Sequence, residues 1–325
     1  MRLLKFVLLL VLLGTTAAFA ADYNVRLGLI AEAGHPVTKA AMKFKELVEE
    51  RSNGRISVQV FPGGQLGGEV ELQDQVALGT IQMANIGTPV MGAKLRKLDI
   101  FNMYYLWNSR QHMVDVTTGP IGQELWEEYR KATGASVIAA NWQQGTRQTI
   151  TKKPVTTPAE FAGVKIRVTA GVPLYIDLWR AMGASPVPLG FPDAYSGMQT
   201  GVVDAVELPL DWMINGGFYK LGKYIDLTQH YFYTNVMLVN DRFLQSLPED
   251  LQQIVRDAAM EAGEYNTELV LGGESELRSQ LEAEGIIFVD TDVAAFQKSV
   301  EPVFESSMDV WGQDLYERIR DAGQN

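Results

Sequence analysis

Strand-like and helix-like hydrophobic patterns alternate along this 325-residue chain, and the alternation limits the folds open to it. Apolar residues alternate with polar or small ones over residues 25–29, then recur at helical spacing over 37–48, and alternate again over 56–60. A second helix pattern covers residues 69–78, and a further strand pattern covers 81–86. Strands that alternate with helices in this way indicate βαβ units, so we predict an α/β fold with a largely parallel sheet.

The same pattern begins again in the middle of the chain. Residues 136–140, 148–151 and 164–168 have strand patterns, and residues 173–182 have the pattern of a helix that ends at a glycine. The apolar-rich stretch 231–240 is long enough to cross from one unit to another. The sequence therefore predicts two α/β lobes.

The C-terminal third has mostly helical patterns. One helix pattern runs from Pro248 to Gly285, which is long for a globular helix, and Gly272 and Gly273 lie inside it. Each glycine costs about 1 kcal/mol in a helix relative to alanine, so we expect a kink or a break there. A last helix pattern covers residues 293–319.

The first twenty residues have the pattern of a secretory signal peptide. Arg2 and Lys5 precede an apolar run over residues 6–13, and Ala18 and Ala20 form a small-residue cleavage site. A membrane anchor is the alternative, but this run is well short of the roughly 20 residues that span a bilayer. We therefore predict a periplasmic protein of a Gram-negative bacterium that is not inserted in the membrane.

Charge and residue types exclude several kinds of function. The net charge of −11 disfavours binding to nucleic acid, and the absence of cysteine excludes disulfides, thiolate catalysis and cysteine-bound metals. His35, His112 and His230 have no metal-ligand spacing, and the chain has no nucleophile elbow or phosphate-binding loop. We predict a protein without cofactor, metal or catalytic residues. The alternative is a secreted α/β hydrolase that uses an unrecognised carboxylate pair.

Two arginines lie in apolar strand patterns. Arg167 is in the middle of residues 165–168, and Arg147 follows Gly145 and Thr146 at the start of another strand pattern. An arginine in such a setting forms either a structural ion pair or a receptor for an anion, because its donor fork matches the two oxygens of a carboxylate. The residues alone do not distinguish these two roles.

Several sequence blocks together resemble one family, the DctP-type solute-binding subunits of tripartite ATP-independent periplasmic (TRAP) transporters. The resemblance extends from Leu27 to about Ala259. The blocks that carry it are Gly34–Pro36, Phe61–Gly67, Gly163–Val168, Leu178–Gly183 and Gln199–Asp204.

The resemblance implies two lobes joined by hinge strands, with a long helix that spans both. It assigns residues 21–144 plus 233–272 to lobe I, and residues 145–232 plus 273–325 to lobe II. It also implies that an organic acid binds between the lobes, with its carboxylate on Arg167 and assistance from Arg147. The expected partners are the integral membrane subunits of an ion-driven permease, and the binding protein itself is expected to be a monomer.

The choice of ligand depends on departures from the family pattern. Members that take hydroxylated acids commonly have Glu-Asn-Pro where this chain has Glu207-Leu208-Pro209, so an amide that would bind a polar ligand group is absent. Trp142, Phe191 and Trp212 also lie near segments that line the family's cleft, and the resemblance offers them as aromatic walls. We therefore predict an aromatic or otherwise apolar monocarboxylate. A C4-dicarboxylate, a keto acid and a sugar acid are the alternatives. The complete set of predicted ligand-binding residues is Arg167, Arg147, Glu32, Trp142, Phe191, Glu207, Leu208 and Trp212.

Overall fold

The computed structural model describes residues 21–323, so the predicted signal peptide lies outside the described residues. Nine strands belong to one sheet. Their bounds are β1 Tyr23–Gly28, β2 Ile56–Phe61, β3 Met83–Gly87, β4 Ala135–Thr151, β5 Lys165–Thr169, β6 Ser185–Leu189, β7 Ala205–Leu208, β8 Tyr224–Asn240 and β9 Ile287–Asp290.

Helices cover the faces of this sheet, and four short 3₁₀ turns connect some of the elements. The α-helices are α1 Pro36–Arg51, α2 Glu69–Leu78, α3 Arg110–Thr118, α4 Pro120–Thr133, α5 Pro173–Ala181, α6 Phe191–Gln199, α7 Leu210–Asn215, α8 Asp241–Ser246, α9 Glu249–Ala283, α10 Val293–Ser299, α11 Glu301–Trp311 and α12 Gln313–Ala322. The 3₁₀ turns are Thr88–Ala93, Arg96–Asn102, Pro158–Phe161 and Phe218–Lys220.

The sheet has two parallel ends and an antiparallel centre, which confirms the predicted two-lobed α/β fold. Its strand order is β2-β1-β3-β8-β4-β7-β5-β6, and β9 pairs with β8. Strands β1 to β3 run parallel at one end, and β5 to β7 run parallel at the other. The helices bury apolar side chains such as Phe44 and Trp179 against these two ends. The exact limits of the two lobes stay a prediction.

The two ends are joined by the long central strands β4 and β8, of 17 residues each. Separate strands were predicted over 136–140 and 148–151, and this prediction is wrong, because residues 141–147 continue the same strand. The pairing of β4 with β8 shifts register four times between Val137 and Thr149. Such bulges bend a strand locally. They lie where the polypeptide passes from one end of the sheet to the other.

Helix α9 is continuous over 35 residues, so the predicted break at Gly272 and Gly273 does not occur. The N-terminal part of this helix packs along β4. There, the side-chain amides of Asn141 and Asn266 donate hydrogen bonds to the Met260 and Gln143 carbonyls. The single helix expected over residues 293–319 is instead three helices, α10 to α12, and Gly312 has a positive φ of 82° between the last two.

Candidate ligand-binding site

The candidate site lies at the carboxyl ends of the parallel strands, where open α/β sheets usually bind their ligands. An inner cavity opens there between the two ends of the sheet. Residues from both ends line it, namely Ile30, Glu69, Arg147, Arg167, Thr169, Phe191, Leu208, Trp212 and Tyr233. Five of the eight predicted ligand-binding residues are therefore together: both arginines, Phe191, Leu208 and Trp212.

Arg167 presents an open guanidinium to this cavity. It lies in the middle of β5 and is 2% exposed, and its Nε donates to the Leu189 carbonyl at 2.9 Å. Among residues 21–323, its two terminal nitrogens have no hydrogen-bond partner. Burial lowers the pKa of Arg167 to about 10, so the side chain stays protonated at neutral pH. The side chain is therefore fixed at Nε, and its two terminal nitrogens can donate hydrogen bonds to a ligand.

Arg147 is held differently, because its charge already has a partner. Its Nε donates to Glu207 Oε2, and its Nη2 donates to Glu207 Oε1 at 2.7 Å and to the Glu207 carbonyl at 2.9 Å. His230 Nε2 lies 3.3 Å from Glu207 Oε2, and Arg147 also sits over the Tyr233 ring at 4.7 Å. Burial opposes ionisation of Glu207, but Arg147 outweighs it and lowers the pKa of this carboxyl to about 2. Arg147 therefore forms a structural ion pair at the cavity wall.

Glu207 itself does not line the cavity. It is fully buried behind Arg147, and both its oxygens face that arginine. A carboxylate in this position neutralises the second arginine and leaves Arg167 as the cation with unfilled donors. The sequence did not predict this pairing, because Arg147 and Glu207 are 60 residues apart and lie close together only through the pairing of β4 with β7.

Glu69 was missed by the sequence analysis, although it faces the same cavity as Arg167. It is the first residue of α2, and its Oε1 accepts a hydrogen bond from the Gly87 backbone N–H at 2.7 Å. Burial of the carboxyl raises its pKa. An acidic residue at a helix start is usually explained by the helix dipole, so its position in the sequence gave no sign of a second role. Thr169 and Tyr233 were missed as well.

A larger outer chamber of about 310 Å³ continues from the inner cavity towards solvent. The two spaces share Ile30, Phe191 and Trp212 as walls. The rest of the chamber is lined by Glu32, His35, Gly63, Pro192, Tyr195, Asn215, Gly216 and Phe218. Glu32, a predicted ligand contact, is thus in the outer chamber rather than at the arginines. No Lys or Arg is among the described residues that line this chamber.

His35 and Asp211 meet beside the outer chamber and connect the two ends of the sheet. His35 follows β1 and caps α1, with Nδ1 accepting from the Val37 N–H at 3.2 Å, so its Nε2 carries the proton of the neutral ring. That Nε2 lies 3.3 Å from Asp211 Oδ2, and the His35 ring packs on Trp212 at 4.2 Å. Burial lowers the pKa of His35 to about 3 and raises that of Asp211 to about 7.

Trp142 is a predicted site residue that does not line the cleft. It is fully buried, and its indole N–H donates to the Ala259 carbonyl of α9 at 3.0 Å. It is not among the residues that line the inner cavity or the outer chamber. Trp142 therefore fixes the long helix on β4, and only Phe191 and Trp212 of the three expected aromatic walls face the cleft.

Within residues 21–323, no group of three or more His, Asp or Glu side chains is arranged to hold a metal ion. None of the helices in this part of the chain combines the length and the apolar character needed to cross a bilayer.

The family model for bacterial extracellular solute-binding proteins of family 7, DctP, matches residues 27–309. The chain belongs to this family. A solute-binding protein of Roseobacter denitrificans is 34% identical over 290 residues, which cover 89% of this chain and 88% of that protein. The 2,3-diketo-L-gulonate-binding periplasmic protein of Escherichia coli is 28% identical over 288 residues, covering 88% of this chain and 87% of that one.

Solved structures of TRAP periplasmic solute-binding proteins superpose on most of this chain. The Roseobacter denitrificans protein with bound L-galactonate has a TM-score of 0.86 at 30% identity, and covers 93% of this chain and 99% of that chain. A protein of Pseudomonas putida F1 with bound D-glucuronate has a TM-score of 0.86 at 28% identity, with coverage of 91% and 96%. The sequence-based resemblance to DctP-type TRAP subunits is confirmed.

Proposed function

We propose that this protein captures a small organic acid in the periplasm and delivers it to the membrane subunits of a TRAP transporter. The observation that carries the proposal is the open fork of Arg167 in the inner cavity. The guanidinium is fixed through Nε, so its remaining donors are oriented before a ligand arrives. A pre-oriented fork binds a carboxylate with two parallel hydrogen bonds, which a lysine cannot reproduce.

The ligand class that is best supported is a hydroxylated sugar acid, one of the alternatives considered above, rather than an aromatic acid. L-Galactonate and D-glucuronate are bound by similar TRAP proteins. The cavity also contains polar groups that the sequence did not indicate, at Glu69, Thr169 and Tyr233. Each can pair with a ligand hydroxyl, which otherwise costs about 1–3 kcal/mol when buried without a partner. The prediction of an aromatic acid relied partly on three aromatic walls, and one of these residues, Trp142, is buried against α9 and does not line the cleft.

A single carboxylate fits the charges of the cleft better than two. The cations that line it, Arg147 and Arg167, are both at its inner end, and Arg147 is already paired with Glu207. The outer chamber offers Glu32 and no described cation. A second carboxylate on the ligand would therefore enter a region without a counter-charge, at the cost of its desolvation. This argues for a monocarboxylate over a C4-dicarboxylate.

A binding panel tests the proposal. Calorimetric titration of the purified protein compares D-glucuronate, L-galactonate, succinate and phenylacetate, after bound ligand has been removed by unfolding and refolding. We expect saturable binding of at least one sugar acid, weaker binding of succinate, and loss of binding in Arg167→Ala. Arg180→Ala is the matched control, since Arg180 is an exposed arginine on α5. Binding of phenylacetate without either sugar acid would overturn the proposed ligand class.

A further inference from the structure

Four charged side chains lie at the inner end of the cleft, and their charges balance. The charges of Arg147 and Glu207 cancel in their ion pair, so the charges that remain on the cavity wall are those of Arg167 and Glu69. Within residues 21–323, no Lys or Arg nitrogen lies within ion-pair distance of the Glu69 carboxylate, and its one backbone donor is the Gly87 N–H. If Glu69 stays ionised, a ligand carboxylate gives this enclosed space a net negative charge.

We propose that Glu69 takes up a proton when a ligand carboxylate binds Arg167, so that capture of a monoanion is coupled to proton uptake. This inference rests on the proposed function, since it requires a carboxylate on Arg167. With Glu69 neutral, the ligand anion and the free positive charge of Arg167 balance. The protonated Glu69 side chain then also donates a hydrogen bond, and a hydroxylated acid offers acceptors for it.

Two changes on binding raise the pKa of Glu69. Glu69 is partly exposed, so a ligand that fills the cavity removes water from its carboxylate. The ligand charge repels the ionised carboxylate and so offsets the attraction of Arg167. The opposing contributions are the Gly87 N–H, the Tyr233 hydroxyl, the start of helix α2 and the charge of Arg147, and all of these are already present without ligand. Burial raises the pKa of Glu69 even before binding.

The other ionisable groups nearby are less able to accept this proton. Glu207 is held ionised by Arg147, which lowers its pKa to about 2, and burial lowers the pKa of His230, so that ring stays neutral. Tyr233 faces Glu69 but is neutral already, because burial raises its pKa. Glu71, on the same helix turn, is exposed to solvent. Asp211, whose pKa burial raises to about 7, pairs with His35 beside the outer chamber and is not among the residues that line the inner cavity.

Calorimetry in buffers of different ionisation enthalpy measures proton uptake directly. D-Glucuronate and L-galactonate serve as probes, each titrated in phosphate and in Tris at neutral pH. We expect the apparent binding enthalpy of the wild-type protein to depend on the buffer, with uptake of up to about one proton per ligand. We expect this dependence to disappear in Glu69→Gln and to persist in Asp211→Asn and in the exposed control Glu71→Gln.

Because ligand binding is coupled to proton uptake, the affinity should also depend on pH. A carboxyl whose pKa is higher in the complex than in the free protein favours binding at low pH, so affinity falls by up to about tenfold per pH unit as pH rises between the two pKa values. Glu69→Gln should remove this slope. Binding without buffer dependence, or uptake that survives in Glu69→Gln, overturns the inference alone. Failure of every acid to bind overturns the proposed function and this inference with it.

Discussion

The inner cavity and the outer chamber of the cleft differ in how they meet a ligand. The inner cavity concentrates fixed charge, with two arginines and Glu69 on walls that strands β4 and β5 and helix α2 hold in place. The outer chamber is lined mainly by rings and small residues, with Glu32 and Asn215 exposed at its edge. In the proposed function, the inner cavity supplies the affinity for the ligand carboxylate, whereas the outer chamber selects among the rest of the ligand.

A second difference separates the two arginines of the inner cavity. Arg147 has its charge satisfied within the protein, whereas the Arg167 side chain has a single hydrogen bond, from Nε, to residues 21–323. Both are almost fully buried. Arg147 should therefore contribute mainly to the stability of the fold, and Arg167 mainly to ligand binding. Substitutions can separate the two roles.

The largest effect is expected for Arg147→Met, on stability. The substitution leaves the Glu207 carboxylate buried without its partner, which should lower the free energy of unfolding by about 3–5 kcal/mol. Urea denaturation measures this loss. The double variant Arg147→Met/Glu207→Leu is the control, since replacing both charges with apolar side chains should recover most of the stability. Equal stability of the single variant and the wild-type protein would contradict the structural role of Arg147.

Arg167→Ala should instead reduce binding and keep the fold. Truncating one partner of a buried charge pair costs about 2–5 kcal/mol, which is roughly 30-fold to several-thousand-fold in affinity. Titration calorimetry with a sugar acid measures the change, and circular dichroism checks the fold. Arg167→Lys should also bind poorly, because an ammonium lacks the fork. Wild-type affinity in Arg167→Ala would rule out this anchor.

The sequence predicted the inner cavity better than the outer chamber, for a physical reason. Arg167 stands out because a charged residue inside an apolar strand requires a special environment, and strand patterns are local. Glu69 faces the inner cavity, and Asp211 lies beside the outer chamber, only because distant elements meet there, so no local pattern reveals them. Trp142 was misassigned because a tryptophan in a strand gives no sign of which face it occupies. The four bulges of β4 decide that, and they depend on its pairing with β8.

Smaller effects are expected in the outer chamber. Phe191→Leu keeps an apolar wall but removes the ring that packs on Trp212 at 5.0 Å. We expect a loss of about 0.5–1.5 kcal/mol, or about two- to tenfold in affinity. The loss should differ between D-glucuronate and L-galactonate, because with the carboxylate on Arg167 we expect Phe191, which lines both spaces, to contact the body of the ligand. An equal loss for every acid would remove the distinction between the two regions.

The smallest effect is expected for Leu208→Asn, which returns an amide to the inner wall. One additional hydrogen bond to a ligand hydroxyl contributes about 0.5–1.5 kcal/mol. Affinity for a sugar acid should therefore rise by up to about tenfold, while affinity for phenylacetate should fall. A thermal-shift series over both acids measures the change in ranking. The isosteric variant Leu208→Met, which adds no donor, controls for altered packing.

We expect Arg167 to recognise the charge of the ligand carboxylate, and one thermodynamic cycle isolates this recognition. Calorimetry compares D-glucuronate with its neutral amide, D-glucuronamide, on the wild-type protein and on Arg167→Ala. The wild-type protein should prefer the acid by at least about 30-fold, which is the lower bound for a buried charge pair. This preference should largely disappear in Arg167→Ala. Equal affinity of the wild-type protein for acid and amide, or an undiminished preference in Arg167→Ala, would contradict this role of Arg167.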